Sequence, residues 1–140
     1  MKIDNVNHKD AKAQRNLELE NEISEKIIKC AIEVHKHLGP GLLESIYEEC
    51  LCKEFELNEI EYKKQKEIPI IYKCTELNQK YRIDLIVDNK VIIEIKCVEE
   101  ILPVHQAQLL TYLKLTGLKL GLILNFNTDL MKNGIKRVVL

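Results

Sequence analysis

Asp84 stands ten residues ahead of a Glu94-Ile95-Lys96 triplet, and all of them lie in apolar runs where an unpartnered charge is costly. In Val91-Ile92-Ile93-Glu94-Ile95-Lys96-Cys97 the period of two of a β-strand sends Glu94 and Lys96 to one face and the apolar residues and Cys97 to the other. Residues 81–87 also read as a strand, and Asp88-Asn89-Lys90 supplies turn residues, so the two runs predict an antiparallel hairpin. With a three-residue loop at 88–90, Val87 faces Val91 and Asp84 comes opposite Glu94, which puts both carboxylates on one face. A two-residue loop at 89–90 would oppose Asp84 to Ile95 and part them. The three-residue version requires a positive φ at Asn89 or Lys90, and asparagine takes it at lower cost.

Two carboxylates and a lysine converging on one spot would suit a hard cation, Mg²⁺ or Mn²⁺, which prefers oxygen ligands and keeps several waters. A divalent ion there acidifies water and offsets charge on a phosphoryl oxygen, while an ammonium beside it orients the nucleophile or stabilises the transition state. That is phosphodiester hydrolysis in outline. The competing reading of the same residues is an internal salt bridge, Asp84 or Glu94 with Lys96, because buried acids are usually paired.

The elements that must position this hairpin follow from periodicity. Residues 1–20 are polar without a sustained apolar period and read as a frayed lead-in, leaving 21–140 as one domain. Ile23, Ile27, Ile28, Ala31, Val34 and Leu38 keep helical spacing up to Gly39-Pro40-Gly41, where the helix must stop. A second helix starts at once, with Leu43, Ile46, Tyr47, Cys50 and Leu51 on one face, and runs to about Leu57. Residues 62–74 are β-rich, and Pro69 suggests an edge position. After Leu102-Pro103 a helical period returns over 104–115 and ends near Gly117. Residues 118–125 form a short apolar run suited to a buried strand, and 134–140 add a short last element. The order predicts an α/β fold, a mixed sheet between helices.

At 140 residues, 46% hydrophobic and 31% charged, the composition is that of one ordinary globular domain. A formal net charge of −1 gives no global pull toward nucleic acid, so any such binding must come from local patches and metal. Lys63, Lys64 and Lys66 are one such patch, or simply a solvated face. Five cysteines, no signal peptide and no apolar run of membrane length predict a reducing compartment, the cytoplasm, and no membrane partner. Cys50-Leu51-Cys52 and His35-Lys36-His37 lie in helical patterns, where an i,i+2 spacing parts the side chains and argues against zinc. The aromatic residues do not interleave with basic ones, which argues against a single-strand stacking platform.

In the third helix His105, Gln108 and Tyr112 form one polar stripe beside Leu109, Leu110 and Leu113. Gln and Tyr can orient a water or hold a phosphate oxygen, whereas a helical Tyr more often sits at the core edge and a His after a proline more often caps. Glu44 opens the second helix with Tyr47 one turn on; the helix dipole accounts for a first-turn glutamate, though not for the sharp turn that presents it.

Taken in order, these motifs resemble the GxxExxY proteins of the PD-(D/E)XK nuclease superfamily. Gly41, Glu44 and Tyr47 match the naming motif, Asp84, Glu94 and Lys96 the D…(D/E)xK signature, and Gln108 and Tyr112 a QxxxY helix like that of RecB-type nucleases. The similarity runs from about Ile23 to Val139 and includes the Gly117, Gly121 and Asn125 neighbourhood. The resemblance implies a restriction-endonuclease-like core, a mixed β-sheet flanked by α-helices. It implies Glu44, Asp84, Glu94 and the Ile95 carbonyl around Mg²⁺ or Mn²⁺, and Lys96 assisting the attacking water. Gln108 and Tyr112, with Tyr47 and His105, would support the site or contact substrate. The expected activity is a metal-dependent nuclease acting on DNA. A non-catalytic binding or regulatory module of the same fold, or a subunit of a larger protein partner, is the alternative, since fold alone does not carry function and no reading domain is evident. A homodimer would help so small an enzyme cut both strands.

Overall fold

The computed structural model describes residues 2–140, with side chains from residue 9 onward. Helix α1 (Lys2–Leu38) is followed by α2 (Glu44–Leu57), strands β1 (Tyr62–Tyr72), β2 (Thr75–Val87) and β3 (Val91–Lys96), helix α3 (Pro103–Thr116), strand β4 (Leu120–Asn125), a 3-10 turn (Met131–Gly134) and strand β5 (Ile135–Val139). The sheet order is β1-β2-β3-β4-β5, with every neighbour antiparallel except β3 and β4, which α3 joins in parallel. This is the mixed sheet between helices that the sequence predicts.

Two apolar layers hold it together. Leu85, Val87, Val91, Ile93 and Ile95 face α1 and α2, while Ile86, Ile92 and Ile123 face Leu109, Tyr112 and Leu113 of α3. Strand β4, covered on both faces, is buried along its whole length, as an apolar run without alternation requires. Pro69 lies on the edge strand, at a register shift between Pro69 and Ile71 where a missing N–H costs the ladder little.

Two expectations need correction. The polar lead-in is helical: α1 is continuous from Lys2, although Met1 and the side chains of residues 1–8 lie outside the described residues. Residues 9–20 are rich in Ala, Lys, Gln, Leu and Glu, and the chain has no Gly or Pro before Gly39, so good helix formers extend the core helix although residues 9–19 are exposed. On α2 the buried face is Tyr47, Leu51, Cys52 and Phe55, while Leu43 and Ile46 are exposed. Periodicity finds a broad apolar stripe but not which edge of it is covered. The turn at residues 39–41 and the seating of Tyr47 set that rotation.

Candidate active site

The hairpin takes the register that brings the acids together: Val87 pairs with Val91, Ile86 with Ile92 and Leu85 with Ile93. Asp88 and Asn89 both adopt φ 52°, and the Lys90 N–H closes the turn on the Val87 carbonyl at 3.0 Å. Asn89 thus takes the left-handed conformation expected of it, and Asp88 shares it.

The ladder then stops. On its other side, Lys64 pairs with Leu85 and Lys66 with Ile83, but the Gln65/Asp84 step between them is skipped, and Gln65 has φ 55°. Ile83 packs in the α3 layer whereas Leu85 packs in the α1/α2 layer, so β2 rotates about Asp84. Side chains replace the missing ladder bonds. The Ile95 N–H donates to Asp84 Oδ2 at 2.8 Å, and the Asp84 N–H donates to Glu94 Oε1 at 3.2 Å. Phe126 N–H bonds the Lys96 carbonyl, so Lys96 directs its backbone groups toward β4 and Ile95 directs its own toward Asp84. The Ile95 carbonyl therefore points into the same gap.

The electrostatics are those of two acids forced together. Glu94 is 5% exposed and its carboxyl is pushed up to about 8, by burial first and then by the charge of Asp84. Asp84 is also raised, by burial first, against the lowering effects of its bond from Ile95 and of the Lys96 ammonium. Lys96 is close enough to be felt by both acids, yet among the described residues it makes no ion pair within 4.0 Å. The internal salt bridge that the sequence left open is absent from these residues.

Glu44 sits on the rim. It is exposed, its Oε1 accepts the Cys97 N–H at 3.3 Å, and its charge contributes to raising Asp84. Among the described residues no three His, Cys, Asp or Glu side chains converge into a closed metal cluster: Asp84 and Glu94 meet, and Glu44 stands apart from them on the rim. The reason is geometric: Glu44 belongs to a helix end anchored elsewhere. That anchor is Tyr47. It is fully buried, its hydroxyl donates to the Gly39 carbonyl at 2.5 Å and accepts the Leu42 N–H at 3.2 Å, and its ring stacks on Phe126 at 4.5 Å. A side chain so placed pins the turn that presents Glu44, and its full burial leaves it the supporting role of the two expected rather than contact with substrate.

Tyr112 is 4% exposed and lies edge-on to Tyr81 at 5.9 Å. Burial and the charges of Glu94 and Asp84 push its hydroxyl up to about 12. No buried polar side-chain atom lacks a partner among the described residues, and this hydroxyl has no bond there, so it reaches solvent, near enough to Glu94 and Asp84 for their charges to act on it. Gln108 is exposed one turn away, and His105 Nδ1 accepts the Leu102 N–H at 3.0 Å, capping α3. The structure therefore gives His105 a structural bond; Gln108 and Tyr112 share its helix but not its exposure.

Glu48 is a residue that sequence reasoning does not single out. It is half-buried, its Oε1 accepts Gln65 Nε2 at 2.6 Å, and burial raises its carboxyl, with Asp84 adding to the shift. It ties α2 to the irregular step beside Asp84. Its i+4 spacing from Glu44 was the available signal. Asn125, buried at the end of β4, clamps Val98 through both its amide groups and so fixes the chain leaving Lys96.

The sequence profile of the PD-(D/E)XK nuclease superfamily matches residues 21–138. The chain belongs to that superfamily. No curated protein matches it. Among solved structures, the crystal structure of SSO0001 is similar in fold, with a TM-score of 0.55 at 23% identity over 89% of this chain. The chain spans 61% of SSO0001. The superfamily's restriction-endonuclease-like core is the mixed sheet described above, with the acids at the point where β2 parts from β3. No helix among the described residues is long and apolar enough to cross a membrane.

Proposed function

We propose that this member of the superfamily is a metal-dependent nuclease that hydrolyses phosphodiester bonds in DNA, belongs to the GxxExxY branch and works in the cytoplasm. The observation that carries the reading is the acid pair: Asp84 and Glu94 touch, are both raised, and among the described residues have no cation within ion-pair distance. The GxxExxY assignment is supported by the way its three residues act as one device. Gly41 (φ 99°) makes the turn, Tyr47 pins it, and Glu44 is the residue presented.

The donor set fits Mg²⁺ or Mn²⁺, which binds through one or two carboxylates while keeping waters and substrate oxygens. Asp84, Glu94 and the Ile95 carbonyl would hold the ion, with Glu44 reaching it from the rim. The chemistry supplied there is a lowered pKa for water and neutralisation of charge on a phosphoryl oxygen. The chain's own residues do the rest. Lys96, half-buried and without an ion pair among the described residues, holds the nucleophilic water and offsets negative charge growing at phosphorus. The Tyr112 hydroxyl, kept protonated, donates a hydrogen bond toward a phosphate oxygen, and the exposed Gln108 amide contacts the strand beyond.

The rim position of Glu44 favours a second reading, a binding module or partner-dependent subunit that keeps the fold without cutting. Cleavage of labelled single- and double-stranded DNA and RNA in Mg²⁺, Mn²⁺ or EDTA separates the two. Metal-dependent cutting of DNA, lost in folded Asp84→Ala and Lys96→Ala proteins, is expected. Folded wild-type protein that cuts nothing would overturn the nuclease reading in favour of the module.

A further inference from the structure

The longest pair of strands in the sheet extends past the core. Residues 71–80 are exposed throughout, and beyond Ile68 and Tyr81, which still pack on the α3 layer, the β1–β2 ribbon joins neither apolar layer among the described residues. Residues 62–82 carry six basic side chains against Glu67 and Glu76, a net +4 in a chain of net −1, which leaves −5 for the remainder. The positive charge that global composition hides is thus concentrated in one element. Asn78, Lys80 and Arg82 alternate along β2 and, with Glu67 of β1, line a groove of about 560 Å³. Asp84 follows two residues beyond Arg82, where the strand rotates and the row ends. Glu67 meets Lys80 at 3.7 Å, with both side chains about half exposed, and an exposed pair of that kind holds a lysine only weakly.

We propose that this ribbon is a double-stranded DNA-binding arm whose Lys80–Arg82 row lies against the phosphate backbone and delivers a phosphodiester to Asp84. The inference rests on the nuclease reading and adds to it the substrate form and the element that holds it. From Thr75 to Asp84 the strand spans about 30 Å at 3.3 Å per residue, close to one turn of B-form duplex. A two-stranded ribbon fits the B-form major groove, whereas the deep, narrow major groove of A-form RNA does not admit it. Ile71 and Tyr72 at the far end are 62% and 61% exposed, apolar surface that the body of the protein leaves uncovered.

The test reads binding apart from cleavage. Fluorescence anisotropy in EDTA would use a labelled 20-base-pair DNA duplex, its single strand and the matching RNA duplex, across 50–200 mM salt. Wild-type protein is expected to prefer the DNA duplex. Lys80→Ala/Arg82→Ala should bind it roughly tenfold more weakly and reduce the slope of log K against log salt by about 2. Lys136→Ala/Arg137→Ala removes the same charge from the opposite edge strand and should bind as wild type does. Equal loss in both variants, or none in the arm variant, would overturn the arm. A wild-type dimer by light scattering that Ile71→Ser/Tyr72→Ser converts to monomer, with DNA binding unchanged, would assign the ribbon to a second copy and overturn it too. Arm-dependent binding without Mg²⁺-dependent cutting would sustain the arm and refute the nuclease, while cutting that ignores the arm variant would do the reverse.

Discussion

Replacing Glu94 by glutamine should make the metal-free protein more stable at alkaline pH. The Glu94 carboxyl rises from its ordinary 4.5 to about 8 on folding, because burial and Asp84 both disfavour its charge. A folded pKa above the unfolded one means that the native state binds the proton more tightly. This contribution to stability is complete below about pH 4.5 and is lost as pH rises toward 8. At about 1.4 kcal/mol per unit, the shift sets a ceiling on the order of 5 kcal/mol, shared with Asp84, which moves in the same direction. Glutamine keeps an oxygen to accept the Asp84 N–H and adds an amide that can donate to the Asp84 carboxylate, and it carries no charge to bury. Urea melts in EDTA at pH 5, 7 and 8.5 check this. Wild type should lose stability across that range, and Glu94→Gln should exceed it at pH 8.5 by on the order of 2 to 5 kcal/mol while differing little at pH 5. A wild-type curve that is flat over this range, or a variant weaker than wild type at pH 8.5, would refute the picture of a strained acid pair.

Tyr47→Phe keeps the stack on Phe126 but leaves the Gly39 carbonyl and Leu42 N–H without their partner, which should cost about 1 to 3 kcal/mol by urea denaturation. Because the same turn presents Glu44, DNA cleavage by the folded variant should fall as well, and unchanged cleavage would remove Tyr47 from the site's support. Gly121→Ala would set its Cβ 2.7 Å from Leu109 Cδ1, between β4 and α3, and should destabilise by about 1 to 3 kcal/mol. Adding Leu109→Val should recover part of that loss in a double-mutant cycle, and strict additivity would show that the contact is not the cause.

Most of the elements were legible in the sequence, because periods of two and 3.6 are local, while the hairpin was narrowed to two registers that the structure resolved in favour of the three-residue turn at 88–90. A three-residue connection leaves only one pairing that keeps both apolar faces buried, and that pairing brings Asp84 to Glu94. The ordered motifs Gly41/Glu44/Tyr47, Asp84/Glu94/Lys96 and Gln108/Tyr112 were equally legible, since residue type and spacing are all they require. Tertiary structure alone decided how those residues divide the work. The rotation of β2 about Asp84 depends on Ile83 and Leu85 packing into opposite layers, which no local pattern encodes. Whether Tyr47 faces solvent or Phe126 depends on a ring 79 positions away in the sequence. The separation of Lys96 from both acids likewise depends on how β3 is seated between β2 and β4. Residues 9–19 of α1 show the converse: exposed along their whole length, they are helical on local propensity.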